Sequence, residues 1–244
     1  MPDPARSSRH ALQGQAALRS RLLASLDFLV PILLLALGTL LIRIWDLDLR
    51  LSSYFYTVSG SWWGKGVLAL DWLYDFGTLP ALLTALLGLG VFLAGLFRQR
   101  LRVWRKNGLY LALVMLLGPG LVVNAVLKEY WGRPRPRNVV EFRGRYAFEP
   151  VLTIDPGSPG ESFPSGHASM GFYFFTLHFV LRRRHRLGSL LFLLLGLVYG
   201  SGMGVVRLAQ GGHFASDVLW SGALVWLICA GLYYLLRLHR KEES

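Results

Sequence analysis

Only one cysteine, Cys229, occurs among 244 residues, and it lies inside an apolar run without a partner. A disulfide framework and a cysteine-based zinc site are therefore excluded. Charge is scarce as well: Asp, Glu, Lys and Arg make up 16% of the chain, against about 25% in a soluble globular domain. Internal repeats and low-complexity tracts are missing, which removes solenoids and disordered linkers. What the chain has instead is 53% hydrophobic residues and a mean hydropathy of +0.42. That composition describes a membrane protein.

A helix that crosses a bilayer needs about 20 apolar residues. Four segments meet that length without a charge: Phe76 to Phe97, Gly108 to Leu127, Leu187 to Val206 and Val218 to Leu236. Two shorter ones, Phe28 to Ile42 and His167 to Leu181, are extended by flanking residues or by arginines that snorkel to the surface. The runs are rich in leucine and show no period-two alternation, so they are helices rather than barrel strands. The expected fold is all-α: a six-helix transmembrane bundle, with residues 1–27 as a cytoplasmic arm and 28–244 as the six-span domain.

The formal charge of +12 raises the question of nucleic acid, and its distribution answers it. Sixteen of the 26 basic residues fall in the N-terminal arm (Arg6, Arg9, Arg19, Arg21), the second and fourth connections (Arg98 to Lys106, Arg182 to Arg186) and the tail (Arg237, Arg240, Lys241). Four acids, Asp3, Asp27, Glu242 and Glu243, share that side, and the opposite side sums to zero. By the positive-inside rule both termini are cytoplasmic, and the partner of the positive charge is the membrane, with no nucleic acid involved. The first helix has no small-residue cleavage site after it and is read as uncleaved. Asp27 reads as a residue near that helix's start. The first outer connection, Asp46 to Asp75, carries Tyr54, Phe55, Tyr56, Trp62, Trp63, Trp72 and Tyr74. Aromatics of this kind anchor at the headgroup level or border a path for lipid.

Three polar clusters carry chemistry. The connection between the third and fourth spans opens with Lys128-Glu-Tyr-Trp-Gly-Arg-Pro-Arg135-Pro136 and closes with Phe163-Pro-Ser165-Gly166-His167. The turn between the fifth and sixth holds Arg207, His213 and Asp217. Helix parity places all three at one membrane face. Lys128, Arg135 and Arg207 are fixed cations of the kind that match phosphate oxygens. Ser165 and Gly166, at the start of a helix, turn unsatisfied backbone donors toward an anion. His213 and His167 supply the nucleophile and the acid that phosphate hydrolysis needs. Asp217, four residues after His213, shares its helical face and is placed to hold the Nδ1 proton. Arg133, Arg137, Arg143 and Arg145 are read as surface charges or headgroup contacts, His178 as structural, and Asn124 as an interhelical hydrogen-bonding residue.

At these residues the chain resembles the type 2 phosphatidic acid phosphatase (PAP2) superfamily, whose signature is K-x6-RP, then PSGH, then SR-x5-H-x3-D. Lys128 to Pro136, Pro164 to His167, and Arg207, His213 and Asp217 match in spacing and order. Val206 stands where the signature has serine. The resemblance implies a phosphatase that needs no metal or other cofactor. His213 would form a phosphohistidine, Asp217 orient it and His167 act as general acid, with Lys128, Arg135, Ser165, Gly166 and Arg207 on the phosphate oxygens. It also implies an inner-membrane enzyme acting on a lipid phosphate at the outer leaflet. Asp48 to Tyr56 and Gln210 to Trp220 are similar to bacterial lipid A phosphatases, and a 1-phosphatase type is the expected assignment. Undecaprenyl pyrophosphate, phosphatidylglycerophosphate, phosphatidic acid and a lipid-to-lipid phosphotransfer remain alternatives at this point. A lipid-binding or transport protein of this design would lack His213 or His167, and both are present.

Overall fold

A computed structural model describes residues 4–239, with the backbone alone for residues 4–21. Asp3 and the tail's Arg240, Lys241, Glu242 and Glu243, all part of the charge split, lie outside the described residues, as do the side chains of Arg6, Arg9, Arg19 and Arg21. All the regular secondary structure of the described residues is helical, and apart from three isolated bridges they contain no β-structure. In chain order they form α1 (Pro4–Ile44), α2 (Leu47–Phe55), α3 (Leu68–Phe76), α4 (Leu79–Phe97) and α5 (Arg105–Met115). A π-helical stretch, Leu116–Leu127, continues α5 into α6 (Lys128–Trp131). Then come α7 (Gly166–Phe172), α8 (Phe175–Leu181), α9 (Arg186–Ala209) and α10 (Ala215–Leu235).

Among the described residues, five helical segments are long and apolar enough to cross a membrane: Leu22–Ile44, Leu68–Phe97, Gln99–Trp131, Arg186–Ala209 and Ala215–Leu235. Their outer faces leave leucines bare, with Leu33 66%, Leu87 72% and Leu194 57% exposed. A water-soluble surface does not carry apolar area on this scale, whereas hydrocarbon accepts it without cost.

The expected span His167 to Leu181 is different in kind. It is two seven-residue helices, α7 and α8, joined where Thr176 N–H and its hydroxyl both bond the Tyr173 carbonyl. Bonds of this i to i+3 type tighten the chain and end the regular α-helix. Phe172, Tyr173, Phe175, Thr176 and Phe179 are all buried in the protein. The pair is therefore the centre of the bundle and not a lipid-facing helix, and its length falls short of a membrane-length span. Small residues let it sit there: a Cβ on Gly171 would lie 2.6 Å from Gly200 Cα on α9, the close backbone approach on which helix packing in lipid depends.

The two ends of the bundle differ sharply. At one, Arg182 donates to Asp27 Oδ2 at 2.6 Å, Tyr234 donates to the same oxygen, and Arg184 stacks over Trp104. The basic connections and the start of the first span thus meet. Asp27 is a partly buried hub within α1, which runs on unbroken from Pro4, rather than the helix-start residue that its position indicated. His178, bonded to Ser189, is structural as expected. At the other end, the first outer connection and the long connection after α6 interlock around buried Trp62, Val139, Phe142 and Phe214. Tyr56 and Trp62 belong to that cluster, while Tyr54, Trp63 and Trp72 stay exposed at 83%, 58% and 61%. Only the second group suits a headgroup-level anchor.

Candidate active site

The three polar clusters converge at the end away from the basic connections. His213 ends the turn between α9 and α10 and is 3% exposed. Its Nδ1 lies 2.5 Å from the Ser162 carbonyl, so Nδ1 carries the proton and Nε2 is the free nitrogen. Asp217 approaches the same Nδ1 at 3.8 Å, an ion-pair distance rather than a hydrogen bond. Burial lowers the His213 pKa from its ordinary value and Arg207 adds to this, with Asp217 and the Ser162 carbonyl opposing. An imidazole shifted this way is neutral at pH 7, the state a nucleophile requires.

Asp217 is fully buried and fixed on three sides. Its Oδ2 accepts from Ser162 Oγ at 2.6 Å and reaches back to the Phe214 backbone N–H at 2.8 Å, as an acid in the first turn of a helix does. Its Oδ1 accepts from Arg133 Nη1 at 2.5 Å. Arg133 is the correction to the surface reading of the loop arginines. It is 0% exposed, and Nη2 pairs with Asp48 at 2.8 Å while Nε bonds the Glu149 carbonyl at 2.8 Å. Its guanidinium also covers the Phe214 ring at 4.4 Å. Asp48, from α2, closes the network by accepting from the Ser216 hydroxyl and backbone N–H. The sequence pointed to neither Asp48 nor Ser162, because their partners lie far away along the chain. The one available signal for Arg133 was its place in Arg-Pro-Arg-Pro, where Arg135 looks the same.

The expected phosphate cations gather above His213. Arg207, in the last turn of α9, donates to Gln210 Oε1 at 2.6 Å, and Gln210 in turn donates to Asp71 at 3.0 Å. Tyr74 stacks face to face on His167 at 4.4 Å and lies under the Arg207 guanidinium at 4.5 Å. An aromatic of the first outer connection therefore orders both the expected acid and a phosphate cation. Arg135 pairs with Glu161 at 2.8 Å, and the Nε atoms of Arg135 and Arg207 are buried without a partner. Lys128 lies within electrostatic reach of Arg135 and Arg207, with Glu161 as the nearby acid. Three cations around unpaired donors repel one another, and an anion between them relieves that repulsion.

Ser165 caps α7 by accepting from the Ala168 N–H at 3.4 Å and is completely buried. Gly166 is a glycine because α7 starts hard against the π-helical stretch: a Cβ there would lie 2.6 Å from Asn124 Oδ1. Asn124 donates to the Pro119 carbonyl of its own stretch at 2.7 Å, so its hydrogen bond is not the interhelical one expected. Gly212 is likewise bare because Arg207 Nη2 would lie 2.2 Å from a Cβ. Val206 is buried and brings no polar atom to the site. Among the described residues no three of His, Cys, Asp and Glu gather in a metal-holding set.

A buried neutral histidine beside a cluster of three cations with one nearby acid, Glu161, set into a bundle of membrane-length helices, defines a membrane-embedded phosphatase. The chain belongs to the PAP2 superfamily, whose family model matches residues 107–241. It is 34% identical over 201 residues to a lipid A 4′-phosphatase of Francisella tularensis subsp. novicida, covering 81% of this chain and 89% of that protein. A lipid A 4′-phosphatase of Rhizobium leguminosarum is 37% identical over 116 residues, 46% of this chain and 48% of that one. No solved structure matches.

Proposed function

We propose that this chain is an inner-membrane lipid A phosphatase that works at the outer leaflet and passes through a phosphohistidine. The observation that carries the mechanism is the Nδ1 contact of His213 with the Ser162 carbonyl, which leaves Nε2 as the attacking atom. Nε2 donates its lone pair to phosphorus, the bond from phosphorus to the lipid oxygen breaks, and His167, which takes up a proton when the negative charge of the substrate phosphate offsets the neighbouring cations, protonates that oxygen. Water then attacks the phosphohistidine, losing a proton to His167, and the P–N bond breaks to release inorganic phosphate. Lys128, Arg135 and Arg207, with Ser165 and the backbone at Gly166, hold the phosphate oxygens as charge shifts during the transfer. The names of the relatives favour the 4′-phosphate of lipid A over the 1-phosphate that sequence reading selected. Phosphate release from a panel of lipid phosphates, with the site of loss read by mass spectrometry, tests both substrate and position. Loss from phosphatidic acid alone would overturn the lipid A assignment.

The three cations supply the positive charge that a metal brings to phosphoryl transfer. Full activity is therefore expected in EDTA without added divalent ion. Loss with chelator and recovery with one particular metal would contradict this.

The sixth crossing is assigned to α7 and α8, which pack mainly against α9 and α10, and the termini to the cytoplasm. In a Cys229→Ala background, a cysteine at exposed Thr153 should react with a membrane-impermeant maleimide in intact spheroplasts, and one at exposed Gln99 should not. The opposite labelling pattern reverses the orientation.

A further inference from the structure

Beside the catalytic histidine lies a cleft of about 510 Å³ that no step of the chemistry above uses. It opens off the site through Tyr74 and Arg207, which line both. Its volume falls within the range of about 300–1,000 Å³ typical of small-molecule sites, and so exceeds what a lone phosphate needs. Lys65, Arg137 and Arg143 stand in its wall with Arg207, against one acid, Asp71, which is already engaged by Gln210. Among the described residues none of Lys65, Arg137 and Arg143 forms an ion pair.

The cleft is built rather than incidental. Arg143 is held at φ 62°, in the left-handed region that a side chain adopts at a cost. Gly60 stands opposite at φ 86°, and a Cβ there would lie 2.4 Å from Arg143 Nη1, so the turn is kept bare to seat the guanidinium. The remaining wall is aromatic: Tyr56, Trp62 and Phe142 contact one another with ring centroids 5.1–5.3 Å apart. Tyr56 Oη is buried there without a hydrogen-bond partner, a state that normally has an explanation in a ligand or water. The Tyr56 ring, backed by the buried Trp62 and Phe142, offers an apolar surface for the C–H face of a sugar, while Asn138, Gln210 and the Tyr56 hydroxyl suit its hydroxyl groups. Arg145, grouped with Arg143 by sequence, is exposed and does not line the cleft.

We infer that this cleft is a headgroup subsite for a phosphorylated glycolipid: its aromatic wall takes a sugar, and Lys65, Arg137 and Arg143 hold a second anionic group on that sugar. The inference rests on the lipid phosphatase reading and makes it specific, because a headgroup with a single phosphate and no sugar leaves the cleft unused.

The test compares three probes in detergent micelles with the full-length enzyme: bis-phosphorylated lipid A, the same glycolipid carrying only the scissile phosphate, and phosphatidic acid. Charge-assisted hydrogen bonds of this kind contribute on the order of 10- to 100-fold each. Arg143→Ala should lower kcat/KM for the bis-phosphorylated lipid by about that factor relative to the mono-phosphorylated one, chiefly through KM, and Arg143→Lys should restore part of it. A second measurement needs no variant. The wild-type product that keeps its second phosphate should inhibit more strongly than its fully dephosphorylated counterpart. If the wild type turns over both glycolipids but the ratio stays fixed in Lys65→Ala, Arg137→Ala and Arg143→Ala, and both products inhibit equally, the subsite is wrong while the phosphatase reading stands. If the wild type turns over phosphatidic acid and neither glycolipid, the lipid A reading fails and the subsite falls with it.

Discussion

His213→Ala is expected to lose turnover by on the order of 1,000-fold or more, because removing a nucleophile leaves only the binding and electrostatic parts of the site. The side chain is 3% exposed, and its Nδ1 contact at 2.5 Å with the Ser162 carbonyl ties the turn before α10 to the long connection, while the bonds of Asp217 to Arg133 and to the Ser162 hydroxyl are made without the imidazole. Loss of activity far beyond a modest lowering of the unfolding temperature is the expected pair of results, since the Ser162 carbonyl is left without its donor. Brief quenching with radiolabelled substrate should trap acid-labile phosphate on the wild type and none on His213→Ala. His167→Ala should behave differently. The attack step remains available while protonation of the departing oxygen is slowed, so the loss is smaller for substrates with good leaving groups, such as an aryl phosphate. Persistent labelling of His213→Ala would move the nucleophile to another residue.

The convergence of the residues expected to hold the phosphate was legible because chemistry fixes their types and chain order fixes their spacing. Lys128, Arg135, His167, Arg207, His213 and Asp217 arrive at one end of the bundle whatever the details of packing, since parity alone brings the three connections together. What organises them was not legible. Asp48 and Arg133 are 85 residues apart and meet only after the first outer connection folds back over α10. Tyr74 looked like one more interfacial aromatic among seven, and nothing in its sequence neighbourhood marks the ring that stacks on His167. The fourth expected span shows the same limit from another side. The fifteen mostly apolar residues from His167 to Leu181 read as a span slightly too short, yet hydropathy cannot separate apolar contact with lipid from apolar contact with protein. Asp27 failed in the reverse direction: a lone acid at the edge of an apolar run reads as a helix start, and its partners Arg182 and Tyr234 come from the far end of the chain.

Arg133→Met is expected to produce the largest loss of stability of any single loop substitution. It would leave Asp48 and Asp217, 3% and 0% exposed, facing a cavity with no cation between them. Breaking a buried pair from one side costs about 3–5 kcal/mol, which for a chain of this size lowers Tm on the order of 10 °C. Arg133→Lys separates holding the fold from setting the site. An ammonium keeps the charge but is a point donor, and it cannot reproduce a fork that meets Asp48, Asp217 and the Glu149 carbonyl at once. With charge retained, most of the stability should return. Asp217, however, loses the contact that fixes Oδ1, and with it the alignment of Ser162, whose hydroxyl bonds Oδ2 and whose carbonyl orients His213. The expected signature is a fall in kcat of about 10- to 100-fold with KM little changed, since the phosphate cations are untouched. Asp48→Asn should show the same pattern more weakly, and combining it with Arg133→Lys should cost less than the sum of the two, because both act on one network. Strict additivity of the pair, or a rise in KM without a fall in kcat, would show that Arg133 only staples the loop and that His213 is oriented without it.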